Sequence, residues 1–487
     1  MPLLEILARI AVETPADEIT DAARAAARKL LLDTLGTSIA GWNAPGVAAA
    51  LDLVQHWGGR PEATALLSGE KLPLPNAVFA NSVLAHALDY DDIHVPSSLH
   101  ISCMVWPAVL AVGEMTGATG REMLDAAVLG VETACRVGNL YDQRCRGVSG
   151  RGFLQTGVVG GFGVAGAACR LFGLDLEHTV NALGLTYSQA GGNRQGLLDK
   201  TLAKRIQPAF TARNALWAVE LAARDVTGPR RALEGIAGLF PVFIHAEPPT
   251  EEELQRKSDF YEIERCTVKV FIGCGGSYPT TLAALELSRE YDLTPDKIAR
   301  VGIYWPPDAF EPNGANLVGG RWKLGPHPQV DAQFSAAYCA ALALVRREIK
   351  LSRFTDEQIR RDVEVLRLAE RVEILEAVDD PPPPPVILPD DFPDHIDKPH
   401  LLIVWTRDGR RLRRIHTNRD VLDPKFTPIE VVREKFLSCA EFSGICPRAR
   451  AERIMAAVDD FENTTECAHF MRVCVTAGGF RSFPATA

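Results

Sequence analysis

From its first residue to about residue 265 the chain is written in Ala and Leu at helical spacing; near Cys266 that texture stops, and it returns after Thr427. Segments 21–39, 76–88, 120–137, 156–171 and 203–223 read as helices with broad apolar faces. Thr14, Pro15 and Asp17 read as a helix start: a hydroxyl to cap the first amides, a proline where no amide is needed, an acid at the positive end of the dipole. Between the helical stretches, residues 267–271, 299–305, 371–378, 401–406 and 411–417 are β-branched and alternating, as strands are, and helical segments 279–291 and 333–346 are interleaved with them. The expected fold class is mostly α: a large all-helical domain plus a smaller α+β domain. The expected parts are 1–266, the first part of the helical domain; 267–424, the α+β domain; and 425–487, helices returning to the helical domain.

A chain of 487 residues is long enough for two or three units, each with a large core. Its formal net charge of -10 repels polyanions. The one basic cluster, Arg410, Arg411, Arg413 and Arg414, flanks a hairpin turn at Asp408-Gly409, so no nucleic-acid partner is expected. The 11 cysteines are odd in number, and no Cys-x-x-Cys pair occurs, which points away from a disulfide framework or a structural zinc site. Residues 1–13 lack the basic start and apolar core of a signal peptide, and no stretch reaches the ~20 apolar residues of a membrane span. A cytoplasmic protein with no membrane partner is expected. Pro381 to Pro385 continue neither helix nor ladder and read as a surface loop.

The densest ionisable cluster of the first half is His86, Asp89, Asp91, Asp92, His94 and His100, just after an apolar helix. Carboxylates at a helix end oppose its dipole, so they need a reason. Metal ligation is one, and a His whose proton traffic is directed by an Asp is another; a solvated loop is the plain alternative. Lys204 lies at a helix start and Lys269 within an apolar strand, settings in which a cation is costly unless it meets an anion such as a substrate carboxylate. A solvated surface lysine is the alternative for each. Residues Gly161-Phe162-Gly163-Val164-Ala165-Gly166 match the dinucleotide fingerprint by letter, but their small-residue surroundings read as one continuous helix, so they point to close packing. Cys274 with Gly275-Gly276 marks a candidate pocket.

Taken together, Leu31-Leu32-Asp33-Thr34-Leu35-Gly36, Ala85-His86-Ala87-Leu88-Asp89-Tyr90-Asp91-Asp92, Arg151-Gly152-Phe153, Lys204-Arg205, Lys269 and Ala332-Gln333-Phe334-Ser335-Ala336-Ala337-Tyr338 resemble the MmgE/PrpD family over nearly the whole chain. That family includes 2-methylcitrate dehydratase, cis-aconitate decarboxylase and iminodisuccinate epimerase. The resemblance implies a helical domain built from both chain ends, an α+β lid domain from the middle, an active site between them, a homodimer, and no metal or organic cofactor. By position it implies Asp89, His100, Lys204 and Lys269 as active-site residues. Where the family carries histidines, this chain has Leu154, Gln207 and Tyr278. Those replacements remove groups that a citrate-like tricarboxylate would meet, and the decarboxylase activity is not carried over.

The reading that follows is a lyase, most simply a dehydratase of a small hydroxy carboxylic acid. Lys204 and Lys269 hold the carboxylate, His100 oriented by Asp89 moves the α-proton, and Tyr278 serves the leaving hydroxyl. Asp92, His94, Arg151, Gln155 and Gln207 complete the set as substrate-binding residues. An isomerase or epimerase keeps the same proton abstraction, and a non-catalytic ligand-binding paralogue is the alternative outside enzymes.

Overall fold

A computed structural model describes residues 1–145, 152–256, 258–305, 318–383 and 394–476. The chain divides into two compact units: Met1–Arg194, Lys204–Val268 and Thr427–Ala487 form one, and Gln195–Ala203 with Lys269–Phe426 form the other. The fold is mostly α, with a minor α+β part in the second unit. Among the described residues no helix is long and apolar enough to cross a membrane.

In the first unit α1 spans Asp21–Gly41, α2 Leu74–His86, α3 Ser102–Thr116, α4 Gly120–Cys145, α5 Gln155–Phe172 and α6 Gln207–Ala222. Helix α1 is capped by Thr20, whose hydroxyl accepts from the Ala23 amide at 3.1 Å. Thr14 does not start a helix; it follows Leu3–Glu13 and its hydroxyl donates back to the Ile10 carbonyl at 2.8 Å. Threonine serves either end of a helix, and the extended backbone that Pro15 imposes on Thr14 ends one here. Helix α2 is buried nearly all round, as the centre of a bundle must be. Helix Ile429–Ser443, from the far end of the chain, packs on α1, where Gly36 lets the Phe436 ring approach closely.

The dinucleotide-like letters lie in the middle of α5, with no strand or turn before them. Their small residues serve packing: a Cβ on Gly163 would lie 2.8 Å from the Gly130 carbonyl of α4, and a Cβ on Gly130 would lie 2.7 Å from the Gly163 carbonyl. The two backbones touch where each helix lacks a side chain.

The second unit holds a four-stranded sheet of β3 (Ile298–Tyr304), β4 (Val372–Leu375), β5 (His400–Thr406) and β6 (Arg411–His416), ordered β4-β3-β5-β6. Strands β3 and β4 run parallel, and the other pairs are antiparallel. Helix α7 (Tyr278–Glu290) packs on β5 and β6, and α8 (Ala336–Arg346) packs on α7. The expected helix 333–346 begins only at Ala336, because the Ser335 hydroxyl caps it from the Tyr338 amide at 3.2 Å. Segment 203–223 likewise splits into a short turn, Ala203–Arg205, and α6. Asp408-Gly409 turns the β5–β6 hairpin, with Gly409 at φ +90°. Arg413 is paired with Asp380, and Arg414 with Glu290 and Glu286, so part of the basic cluster is neutralised within the unit. Of the proline run, Pro381–Pro383 are described and lie in no regular element.

One expected strand is corrected. Only Cys266–Thr267 (β2) forms a ladder, antiparallel to Ile93–His94 (β1) in the first unit. From Val268 the chain turns instead of pairing: the Lys269 ammonium donates to the Gly273 carbonyl four residues on, at 3.1 Å, and Gly273 sits at φ +101°. Local side-chain bonds replace the ladder that β-branched letters advertised.

Two outcomes follow from this packing. Gly163→Val is expected to lower unfolding stability by about 1–3 kcal/mol, the cost of forcing side-chain volume into a closed helix contact, as read by urea denaturation. The second concerns His400, buried at the start of β5, whose Nδ1 accepts from Trp305 Nε1 at 2.9 Å. Burial holds its pKa down to about 3. An imidazole lowered in the native state leaves the unfolded chain binding the extra proton, so stability is present above about pH 6.5 and lost as pH falls toward 3. Denaturant midpoints are expected to fall more steeply below pH 6.5 in the wild type than in His400→Gln, by up to about 1.4 kcal/mol per pH unit.

Candidate active site

Helix α2 ends at His86 inside the first unit, and the next six residues are almost entirely buried. The chain turns there through Asp89 at φ +51°, a left-handed conformation that Asp tolerates better than most residues. The turn brings carboxylates back toward the helix they have just left. His86 Nδ1 lies 2.8 Å and 3.0 Å from the two oxygens of Asp91.

His100 arrives from the other side. The His94 amide donates to the Leu99 carbonyl at 2.8 Å around a turn with Ser98 at φ +55°, and the His100 amide is held by Thr156 of α5 at 3.2 Å. His100 Nδ1 is then 2.9 Å from the Asp92 carbonyl and 3.3 Å from Asp91 Oδ2. A carbonyl only accepts, so Nδ1 carries the hydrogen and Nε2 is the proton-accepting nitrogen of neutral His100. Nε2 faces Asp89 Oδ1 at 3.6 Å, and the same carboxylate receives the Lys204 ammonium. Burial of Lys204 and Asp89 makes that pair strong.

Asp91 therefore stands on the Nδ1 side of His100; Asp89, expected to orient that ring, stands on the Nε2 side with Lys204. Burial alone would push the Asp91 carboxyl up, but His86 and His100 hold it well below the usual carboxylate range. Burial lowers His86 in turn. For Asp92 burial, with Asp91 and Asp33 nearby, outweighs the hydrogen bonds from Ser102 and pushes its carboxyl well above the usual range. Cys103 donates to the His100 carbonyl at 3.4 Å, and burial raises its thiol well above the usual value.

Helix Ile429–Ser443 supplies the last member. The Lys435 ammonium donates to the Tyr90 carbonyl at 2.6 Å, pairs with Asp33 Oδ1 at 2.6 Å, and sits 3.9 Å from the centre of the Tyr90 ring. It fastens the loop between Asp89 and Asp91 from behind.

The remaining candidates are placed elsewhere. His94 uses both ring nitrogens on Ser97 (2.6 Å) and Glu262 (2.9 Å), and Arg265 joins Glu262 at 3.3 Å, so it belongs to a buried structural network. Gln155 donates to Asp142 at 2.9 Å. Gln207 accepts from the Asn193 amide at 2.8 Å and donates to the Asn193 carbonyl at 3.0 Å. Arg151 lies outside the described residues. In the second unit, Lys269 and Tyr278 converge on one acceptor: the Gly273 carbonyl is 3.1 Å from each, and Tyr278 also donates to the Phe271 carbonyl. His86, Asp91, Asp33 and Lys435 had no assigned role in the sequence reading. The first three stand in the motifs already quoted, whereas nothing in the local sequence marks Lys435.

His86, Asp89, Asp91 and His100 each bring one ligand atom within 4.8 Å of the others, a donor set that suits a divalent cation by composition. The charge arrangement already present answers that need differently. Lys204 neutralises Asp89, and Asp91 is shared by two imidazoles.

Comparison with known proteins bears on the family of the chain. Residues 5–252 match the MmgE/PrpD N-terminal domain and residues 271–462 the MmgE/PrpD C-terminal domain. A cis-aconitate decarboxylase-like protein of Aspergillus oryzae is 24% identical over 474 residues, covering 91% of this chain and 91% of that protein. Cis-aconitate decarboxylase of Aspergillus terreus is 27% identical over 322 residues, 62% of this chain and 64% of the enzyme, which is under two thirds of its length. The Mus musculus cis-aconitate decarboxylase is 23% identical over 372 residues, 75% of this chain and 74% of that protein. Two family domains in order, together spanning most of the sequence, place this chain in the MmgE/PrpD family.

Proposed function

We propose that the protein is a lyase acting on a small carboxylic acid, most simply a dehydratase of a hydroxy acid. One observation carries the reading: the Nδ1 hydrogen of His100 is committed to the Asp92 carbonyl, which leaves Nε2 as a base beside the Asp89–Lys204 pair. The substrate carboxylate takes the Lys204 ammonium in exchange for Asp89. The α C–H bond then breaks, its proton passes to Nε2, and its electron pair forms the alkene as the C–O bond breaks and hydroxide leaves as water after gaining a proton. Asp91 steadies the imidazolium that forms. From the family position, Lys269 is a second carboxylate anchor and Tyr278 the proton source for the leaving hydroxyl; both would first have to exchange their bonds to Gly273.

A decarboxylase is the second reading, favoured by the names of the relatives. There a C–C bond breaks, carbon dioxide leaves, and His100 gives a proton to the α-carbon instead of taking one. The two differ in the starting state of His100. A dehydratase needs it neutral, so turnover rises with pH through its titration; a decarboxylase needs the imidazolium, so turnover falls.

The test is proton NMR in deuterium oxide with a panel of hydroxy acids, their unsaturated counterparts and cis-aconitate. Loss or gain of water supports the dehydratase. Decarboxylated product supports the second reading, and solvent deuterium in unchanged substrate indicates an isomerase. Whichever reaction appears, His100→Ala and Asp91→Asn are each expected to lower kcat at least ~100-fold in folded protein. Near-normal turnover of the His100 variant removes it from the chemistry. Treatment with EDTA is expected to leave turnover unchanged; loss that a divalent ion restores would reassign the four-residue cluster to metal binding.

A further inference from the structure

His86 is the last residue of α2, and its ring is wholly buried. Its Nδ1 spans both oxygens of Asp91, at 2.8 Å and 3.0 Å, and the nearer of them, Oδ2, is also the oxygen 3.3 Å from His100 Nδ1. The two imidazoles thus meet on one carboxylate oxygen, with their ring centres 4.8 Å apart, edge to face at 64°. An ionised carboxylate only accepts, so the His86 hydrogen lies on Nδ1. The opposite nitrogen, Nε2, is buried and has no hydrogen-bond partner among the described residues. The other neutral tautomer would turn a lone pair on the carboxylate and leave a buried N–H unmet, and the imidazolium would leave that N–H unmet as well. Burial, which lowers the pKa of His86, agrees with a neutral ring.

We propose that His86 is a positioning residue for His100: by donating Nδ1–H to both oxygens of Asp91 it fixes the plane of that carboxylate, so that His100 keeps its own hydrogen on Nδ1, toward the Asp92 carbonyl, and a bare Nε2 toward Asp89 and Lys204. The inference rests on the reading of His100 as the group that moves the proton. A carboxylate held by one donor fewer must find another. Asp91 can then rotate onto the His100 N–H and draw it from the Asp92 carbonyl, or take up a proton itself. Either change moves the His100 ring, and a displacement of about 1 Å in a reacting group costs on the order of 100-fold in rate. His86 acts on the chemistry only through Asp91 and the contact of the two rings.

Substitution separates the two ring nitrogens. The side-chain amide nitrogen of Asn takes the place of Nδ1 and that of Gln the place of Nε2, whereas Gln fills more of the space that the imidazole leaves. On the substrate that the deuterium oxide panel yields, His86→Asn is expected to keep most of the turnover. His86→Gln is expected to lower kcat about 10–100-fold with KM little changed, because the residues proposed to bind the carboxylate are others. A ring that only fills space predicts the reverse order. The nitrogens themselves are read without any substrate, by nitrogen-15 NMR of the full chain labelled at histidine. In the wild type His86 and His100 are both expected as Nδ1–H tautomers, and in His86→Gln the His100 signals are expected to leave that tautomer. Protonation of wild-type His86 on Nε2 overturns the proposal. So does a His86→Gln variant at least as active as His86→Asn, or one whose loss lies wholly in KM. Turnover that survives His100→Ala would instead overturn the underlying reading of the base, by a result in which the His86 variants take no part.

Discussion

Three carboxylates, Asp33, Asp91 and Asp92, lie wholly inside the helical unit, and much of its polar interior is arranged to hold them. An ionised carboxylate in an apolar core is among the costliest groups a fold can contain, so each must be paired or neutralised. The three meet that demand differently. Asp91 is shared by two imidazoles that lower its carboxyl, Asp33 takes the Lys435 ammonium, and burial raises the carboxyl of Asp92 well above the usual range. Removing any one cation would leave a carboxylate to seek a proton from its neighbour. The cluster is one electrostatic unit.

That demand explains why the unit is assembled from both ends of the chain. Lys435 reaches the Tyr90 carbonyl across 345 residues, and it does so while paired with Asp33 of α1. Helix Ile429–Ser443 thus supplies the counter-charge that the buried start of the chain lacks. Its packing on α1 and its grip on the loop after α2 are the same contact seen from two sides. A chain that ended near residue 426 would carry its site loop without that support.

The helices and the sheet were legible because periodicity reports burial. Helices α1, α2, α4 and α5 and strands β3, β5 and β6 lie where the apolar letters recur. What misled was chemistry that periodicity does not measure. Thr14 and Thr20 carry the same cap signal, and only tertiary packing selects one. Val268 to Ile272 have strand letters, but Lys269 and Tyr278 close the segment on its own carbonyls. At the site, the His-Ala-Leu-Asp-Tyr-Asp-Asp block located the loop, while the assignment of roles within it depended on which ring nitrogen faced which oxygen. The family resemblance pointed to Asp89 as the partner of His100; with the left-handed turn at Asp89 it is Asp91 that faces Nδ1, while Asp89 faces Nε2. Nothing local in the sequence could announce Lys435, whose significance is entirely long-range.

The two departures from the family pattern in the first unit are not independent. Leu154 donates its amide to the Gly192 carbonyl, and Gln207 clamps both backbone groups of Asn193, so the two replaced positions grip adjacent residues of one strand of chain. Phe153 bridges to Asn193, and the Arg194 amide donates to the Gly152 carbonyl, which extends the same contact. An imidazole at 207 could not supply a donor and an acceptor to one peptide in the way a carboxamide does. Leucine and glutamine therefore bring no charge to this backbone contact, where two histidines would have offered titratable donors.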